Sequence, residues 1–454
     1  MIWPSDIVAI LQIKYLRSRL HERTAESPAV ERCWELLRHS SRSFVAVIEE
    51  LHPDMRNAMM IFYLVLRGLD TIEDDTGLDP KVKLPLLRNF RRVALTSKTW
   101  TFNDSSPTEK DRVVLQEFDR VLEVFHNLPA EYQDVIADIA HKMGNGMADY
   151  AGSDSPINRN GVPTVADYDL YCHHVAGIVG EGITRMALIA GFATPVVAEN
   201  PSLYESMGQF LQKTNIIRDY REDLDDGRSF WPQEVWKKHA SSLSDFVTDK
   251  DAGQRCVSEL VLLSLKLVPE LLEYLSNVKE PSLFRFCAIP QVMSIATLEL
   301  VFQNPAVFDR NVKISKGLAC QLILASESMA PVYEIFRDFV TRIHQRNRVD
   351  DPNYFPLEQQ CAKIVQYIDM HDKNSEAAKM RRDIVARQGT RTYFGIFTLT
   401  PDETEAAKIL LAAAGVGLAI MALMMGVSML FGARYPNPLK VLPEFAKSRK
   451  LGHL

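Results

Sequence analysis

The 454-residue chain has few cysteines, and its six (Cys33, Cys172, Cys256, Cys287, Cys320 and Cys361) include no CxxC pair. Scattered thiols argue against a disulfide framework or a cysteine-bound zinc, and they fit a reducing compartment. Excess positive charge is also missing: 52 Lys and Arg face 58 Asp and Glu, a net charge of -6. No global basic footprint for nucleic acid results, so none is expected as a partner. Alternating strand runs with hairpin signals are absent, which disfavours strand-rich folds. No GxGxxG follows a strand, so a Rossmann cofactor domain has no support. The first 19 residues lack a long apolar core and hold Asp6 and Lys14, unlike a signal peptide. Asn103-Asp104-Ser105 fits a glycosylation sequon, a pattern common by chance and irrelevant on a cytosolic face.

What remains is helical. The chain is 46% hydrophobic, with modest glycine and proline. Apolar residues recur at helical spacing over 113–125 and 257–275. The expectation is an all-α catalytic domain over 1–348, with loops at 75–80, 101–107, 152–163 and 224–232. Residues 349–408, with Pro352, Pro356 and the charged run 373–387, read as a linker that carries a solvated helix. Residues 409–433 hold no charge. As a helix they would be about 37 Å long, enough for a bilayer core of about 30 Å. Residues 434–454 form a short basic tail with Arg434, Lys440, Lys447, Arg449 and Lys450 against Glu444. Taken alone, that tail favours a cytosolic end. A cytosolic catalytic domain with a single span puts it in the lumen instead, and Arg387 and Arg391 compete on the other side.

Two acidic clusters carry the chemistry: Asp70-Thr71-Ile72-Glu73-Asp74-Asp75 and Asp219-Tyr220-Arg221-Glu222-Asp223. In each, two Asp residues stand four apart, which puts both carboxylates on one helix face. The first face extends to Tyr63-Arg67-Asp70-Asp74, with Phe62, Leu66, Leu69 and Ile72 on the other side. The second reads Gln212-Asn215-Asp219-Asp223, flanked by Arg218 and Arg228, with Phe210, Leu211, Ile216 and Ile217 as its apolar side. Opposed across a cavity, such carboxylates can hold divalent cations that keep positions open for phosphate oxygens. Guanidinium groups one turn away can grip the same phosphate. Chemistry on a diphosphate follows.

Residues 168–191 read as a helix with Gly177, Gly180 and Gly182 in its middle, each costing roughly 1 kcal/mol against alanine. Either another helix or a ligand chain comes close there. Tyr171, Val175 and Val179 share a stripe on it. His173 and His174 read as packing or surface residues, because no acidic or histidine partner sits at ligand spacing. His39-Ser40-Ser41-Arg42-Ser43-Phe44 is a helix start that either binds an anion or only caps itself. Lys313 and Lys316 sit near another helix start, which is either plain surface or a hold on dinucleotide phosphates.

Taken together these segments resemble the squalene synthase family. The resemblance rests on the two acidic motifs, on Ser41-Arg42-Ser43-Phe44, on 171–180 and on 286–293, and it spans roughly residues 30–340. It implies an isoprenoid-synthase-type helical fold with a central cavity. It implies head-to-head condensation of two farnesyl diphosphates to presqualene diphosphate, then NADPH-dependent reduction to squalene, the first committed step of sterol biosynthesis. Mg²⁺, or Mn²⁺ in its place, would be held by Asp70, Glu73, Asp74, Asp219 and Asp223. Arg42, Arg67, Arg218 and Arg228 would clamp phosphate, with Ser41, Ser43, Phe44, Tyr63, Gln212 and Asn215 around the substrate. Tyr171 would act at the first carbocation as acid, base or cation stabiliser. Val175, Val179, Phe286 and Pro290 would wall a dry tunnel, and Lys313 and Lys316 would contact NADPH. The resemblance further implies an endoplasmic reticulum membrane protein with one C-terminal anchor and a monomeric catalytic domain facing the cytosol. The competing readings are a phytoene-synthase-like enzyme without the reductive step, a non-catalytic scaffold on the same fold, and a generic helical membrane-tethered interaction protein.

Overall fold

Short polar residues and prolines set the helix starts. Asn200 and Pro201 open one long helix, Glu280 and Pro281 another, and His52 and Pro53 a third. Proline suits a first helical turn, where its missing N–H would have no partner. A computed structural model of the chain describes residues 26–75, 77–150 and 160–372, apart from the side chains at positions 42 and 43. The expected membrane helix, the basic tail and residues 373–408 of the expected linker lie outside the described residues. Within them the all-α expectation holds. No strand is present there, only a lone antiparallel bridge between Ala193 and Val278.

Five helices concern the site: α1 (Pro53–Asp74), α2 (Ala130–Tyr150), α3 (Ile178–Ile189), α4 (Pro201–Arg218) and α5 (Pro281–Val301). Helix α4 is central and packs on α3, α5, Lys250–Leu265 and Val268–Ser276. Helix α5 is long and apolar enough to cross a membrane, but 72% of its apolar window is buried in the protein, so it is a core helix.

Three expected helices are broken. Residues 257–275 cross a gap between Lys250–Leu265 and Val268–Ser276. Pro269 in the first turn of the second helix cannot donate to the preceding turn. Residues 113–125 divide at Glu117 into Arg112–Gln116 and Phe118–Phe125. Residues 168–191 form Val165–Cys172, a π turn His173–Gly177, and α3.

The glycines of that segment face helices. A Cβ on Gly180 would lie 2.4 Å from the Tyr204 carbonyl of α4, and one on Gly182 would lie 2.5 Å from Phe62 of α1. Gly177 abuts the Glu205 carboxylate. Their cost in helix propensity is offset by the close approach of α1 and α4, so close helix packing explains them.

The domain boundary expected at 348 falls short. Tyr354–His371 is a helix packed on Met329–Arg346 and Lys250–Leu265. It buries Leu357, Cys361, Ile364 and Ile368. Pro352 and Pro356 suggested a linker, but Pro356 falls in the first turn of this helix, where proline is tolerated. The helix is therefore packed where a solvated one was expected.

Candidate active site

The five helices and the π turn surround a cavity of about 470 Å³. Its apolar wall includes Phe62 and Leu66 of α1, Met143 and Met147 of α2, Ile183 of α3, and Phe286 and Pro290 of α5. The polar lining comes from both acidic faces. Helix α1 contributes Tyr63, Arg67, Asp70, Glu73 and Asp74. Helix α4, the short helix Tyr220–Asp225 and the residue between them contribute Gln212, Asn215, Asp223 and Asp219. The two sequence-distant stripes thus meet in one cavity.

On the first face Arg67 donates to the Tyr63 hydroxyl at 2.9 Å and stands 3.5 Å from Asp70. Asp111, from outside the stripe, lies 3.9 Å from the same guanidinium. Asp75 ends the helix and turns away from the cavity. It accepts from the Gly77 N–H at 3.0 Å and the Ser106 N–H at 2.7 Å, which keeps its carboxyl ionised. The buried Lys83 donates to the Glu73 carbonyl at 2.8 Å and satisfies one of the helix's terminal acceptors.

On the second face the chain kinks at Asp219 (φ -90°, ψ 10°). The Asp223 N–H still donates to the Asp219 carbonyl at 2.9 Å, so the two carboxylates remain one turn apart. Arg218, expected on phosphate, grips Asp219 with Nε at 2.8 Å and a terminal nitrogen at 2.6 Å. Arg228 spans both faces, 3.5 Å from Asp74 and 3.3 Å from Asp223.

The acids outnumber the bases. Asp70, Glu73, Asp74, Asp219 and Asp223 line the cavity, Arg67 and Arg228 are the cationic side chains among the described lining residues, and Arg218 pairs with Asp219 from outside the lining. Burial pushes Asp70 and Asp223 up to about 7 and Glu73 up to about 8, with neighbouring carboxylates adding to the rise. An all-oxygen donor set short of positive charge fits a hard divalent cation. Among the described residues no three His, Cys, Asp or Glu side chains converge on one point. Mg²⁺ is usually bound by one or two carboxylates together with phosphate and water.

Tyr171 is buried on the cavity wall, in the last turn of the helix before the π turn. Phe230 stacks on its ring with centroids 4.7 Å apart, and Tyr150 meets it edge-on at 5.2 Å. Burial, with Glu73 close by, holds the phenol well above its ordinary range. It is therefore a neutral hydroxyl on a clamped ring at physiological pH. Val175, in the π turn, and Val179, one turn along in α3, also line the cavity. Behind them His173 pairs with Glu205 of α4 at 3.0 Å, a partner 32 residues on that local spacing did not reveal.

Other expected residues lie outside the cavity lining. Ser41 caps Arg42–Glu49 by accepting from the Phe44 N–H at 3.2 Å, while Phe44 itself reaches the cavity. The side chains of Arg42 and Ser43 lie outside the described residues. Lys313 and Lys316 are exposed at the start of Lys316–Ala325 and line no part of the cavity. Sequence reasoning passed over Phe230, Tyr150 and Asn311. Phe230 stood two residues after Arg228 in a loop read only for its arginine. Asn311 carried no pattern at all.

Residues 37–317 match the family model described as squalene/phytoene synthase. The chain is 52% identical over 371 residues to the squalene synthase of Yarrowia lipolytica, covering 81% of this chain and 83% of that protein. It is 50% identical over 370 residues to the squalene synthase of Saccharomyces cerevisiae, with the same coverage. A solved complex of TcSQS with a ligand superposes with TM-score 0.72 at 36% identity, over 76% of this chain and 99% of that one.

Proposed function

The chain belongs to the squalene/phytoene synthase family, and on that footing we propose that it makes squalene. It condenses two farnesyl diphosphates head-to-head to presqualene diphosphate and reduces that product with NADPH, releasing diphosphate. The observation that carries this reading is the meeting of two four-spaced carboxylate faces in one apolar-walled cavity beside a clamped tyrosine.

Asp70, Glu73, Asp74, Asp219 and Asp223 would between them hold divalent cations, Mg²⁺ or Mn²⁺, which when bound would neutralise the leaving diphosphate. Lys313 and Lys316 would hold the phosphates of NADPH, which would supply the hydride of the second step. The chain's own residues do the rest. Arg67 and Arg228 project into the polar end and bind phosphate oxygens in place of water. Arg218 acts through Asp219. Tyr171 offers a neutral hydroxyl and an aromatic face, which stabilise an allylic cation without a fixed negative charge that could trap it. Phe44, Tyr63, Gln212 and Asn215 border the bound diphosphate, and Val175, Val179, Phe286 and Pro290 exclude water from the prenyl chains. We place the protein at the endoplasmic reticulum membrane, anchored by residues 409–433, with a monomeric catalytic domain on the cytosolic side.

The test is incubation of the full chain in detergent with farnesyl diphosphate and Mg²⁺, with and without NADPH. Squalene should form only with NADPH, and presqualene diphosphate should accumulate without it. A final product that ignores NADPH, or that needs a longer prenyl diphosphate, overturns the reading.

A further inference from the structure

Asn311 lies 92 positions from Asp219 in sequence, yet its side-chain amide meets the second acidic face. Its Nδ2 donates to Asp219 Oδ1 at 2.6 Å and to Glu222 Oε2 at 3.0 Å. Both carboxylate oxygens face the NH₂ group, which fixes the amide's orientation. The amide's Oδ1 is buried and has no partner among the described residues.

The bonds on Asp219 can be counted. A carboxylate offers about four acceptor positions, two per oxygen. Oδ1 accepts from Arg218 Nε at 2.8 Å and from Asn311 at 2.6 Å, so both of its positions are filled. Among the described residues Oδ2 accepts only the second Arg218 nitrogen, at 2.6 Å. One position on Oδ2 is left for anything else. Asn311 is also joined through the buried Val312 to Lys313, and Lys316 follows.

We propose that Asn311 is a positioning residue that makes Asp219 a one-oxygen metal ligand and ties the segment carrying Lys313 and Lys316 to that ligand. The proposal rests on the metal-site reading above. Without the amide, one acceptor position on Oδ1 opens and Arg218 alone holds the carboxylate, so a cation can take either oxygen and the geometry toward it is less tightly fixed. Partners of this kind, one bond behind a ligand, typically change metal affinity by 10–100-fold.

The experiment titrates Mn²⁺ into the full chain with inorganic diphosphate and reads free Mn²⁺ by electron paramagnetic resonance. It compares wild type with Asn311→Leu, which keeps the volume and removes both donors, and with Asn311→Ala. Both variants should melt within a few degrees of wild type and bind Mn²⁺ about 10-fold more weakly. In turnover, the half-saturating Mn²⁺ concentration should rise while kcat at saturating Mn²⁺ changes little. Hydrogen exchange supplies the second readout. Mn²⁺ with diphosphate should slow exchange at residues 312–318 in wild type and not in the variants.

Folded variants that bind Mn²⁺ as tightly as wild type overturn the positioning role. Equal protection of 312–318 in variant and wild type, or none in either, overturns the tie to the lysine segment. Because the resonance measurement needs no turnover, wild type that binds Mn²⁺ but makes no squalene refutes the functional reading alone. Wild type that binds no Mn²⁺ refutes both.

Discussion

Asp74 stands 3.5 Å from Arg228, a residue 154 positions further along the chain. The same guanidinium lies 3.3 Å from Asp223, so one side chain links both acidic faces. It holds positive charge where the two carboxylate faces approach each other.

Replacing Arg228 should therefore damage substrate use more than folding. Arg228→Ala is expected to lower kcat/KM for farnesyl diphosphate by roughly 100-fold or more, the usual cost of one preorganised charge-stabilising donor. Arg228→Lys should recover only part of this, because the planar fork that reaches two carboxylates is lost. Steady-state kinetics at saturating Mg²⁺ read the difference. A fully active lysine variant would mean that charge alone suffices.

The acidic cluster makes metal binding depend on pH. Asp70 and Asp223 titrate near about 7 and Glu73 near about 8 in the metal-free fold. In the unfolded chain these groups titrate near about 4. As pH falls from about 8 to about 6, the fold takes up protons that the unfolded chain does not, and this contribution to metal-free stability increases. Mg²⁺ must displace those protons. Saturating Mg²⁺ should thus raise Tm more at pH 8 than at pH 6, and Asp70→Asn should shrink the gap. The reverse ranking by calorimetry contradicts the assignment.

Tyr171 tests the cation reading. Tyr171→Phe keeps the ring stacked on Phe230 at 4.7 Å and removes only the hydroxyl. If the hydroxyl moves a proton, presqualene diphosphate formation should fall by roughly 10²–10⁴-fold with Tm unchanged. If the aromatic face does the work, the loss should be small for Phe and large for Tyr171→Leu. Burial keeps the phenol protonated, so the wild-type rate should show no phenolate titration below about pH 10.

Gly180→Ala probes the helix crossing. The new Cβ would lie 2.4 Å from the Tyr204 carbonyl, and backbone has little room to yield. Overpacking of this kind costs about 1–3 kcal/mol. Urea unfolding of the variant should show a lower midpoint, and an unchanged midpoint would mean that α3 and α4 slide apart freely.

Truncation tests the domain boundary. A chain ending at 348 loses Tyr354–His371 and uncovers its packing partners on Met329–Arg346. It should aggregate or melt far below a chain ending at 372. Equal melting temperatures would show that the helix adds nothing to the core.

The sequence by itself determined the helical class, the two carboxylate stripes and the tyrosine stripe. These are periodic features, and four-residue spacing fixes a helix face before any tertiary contact forms. It also determined the resemblance on which the function rests. Tertiary structure decided whatever depends on residues far apart in the chain. It set Arg228 between Asp74 and Asp223, laid Phe230 on Tyr171 and brought Asn311 to the second face. It also decided that Gly180 and Gly182 serve helix packing, and that Tyr354–His371 belongs to the core. The physical reason is one of range. Local spacing says which side chains share a face, but the partner of each face, and the burial that shifts its carboxylates, exist only once distant helices have packed.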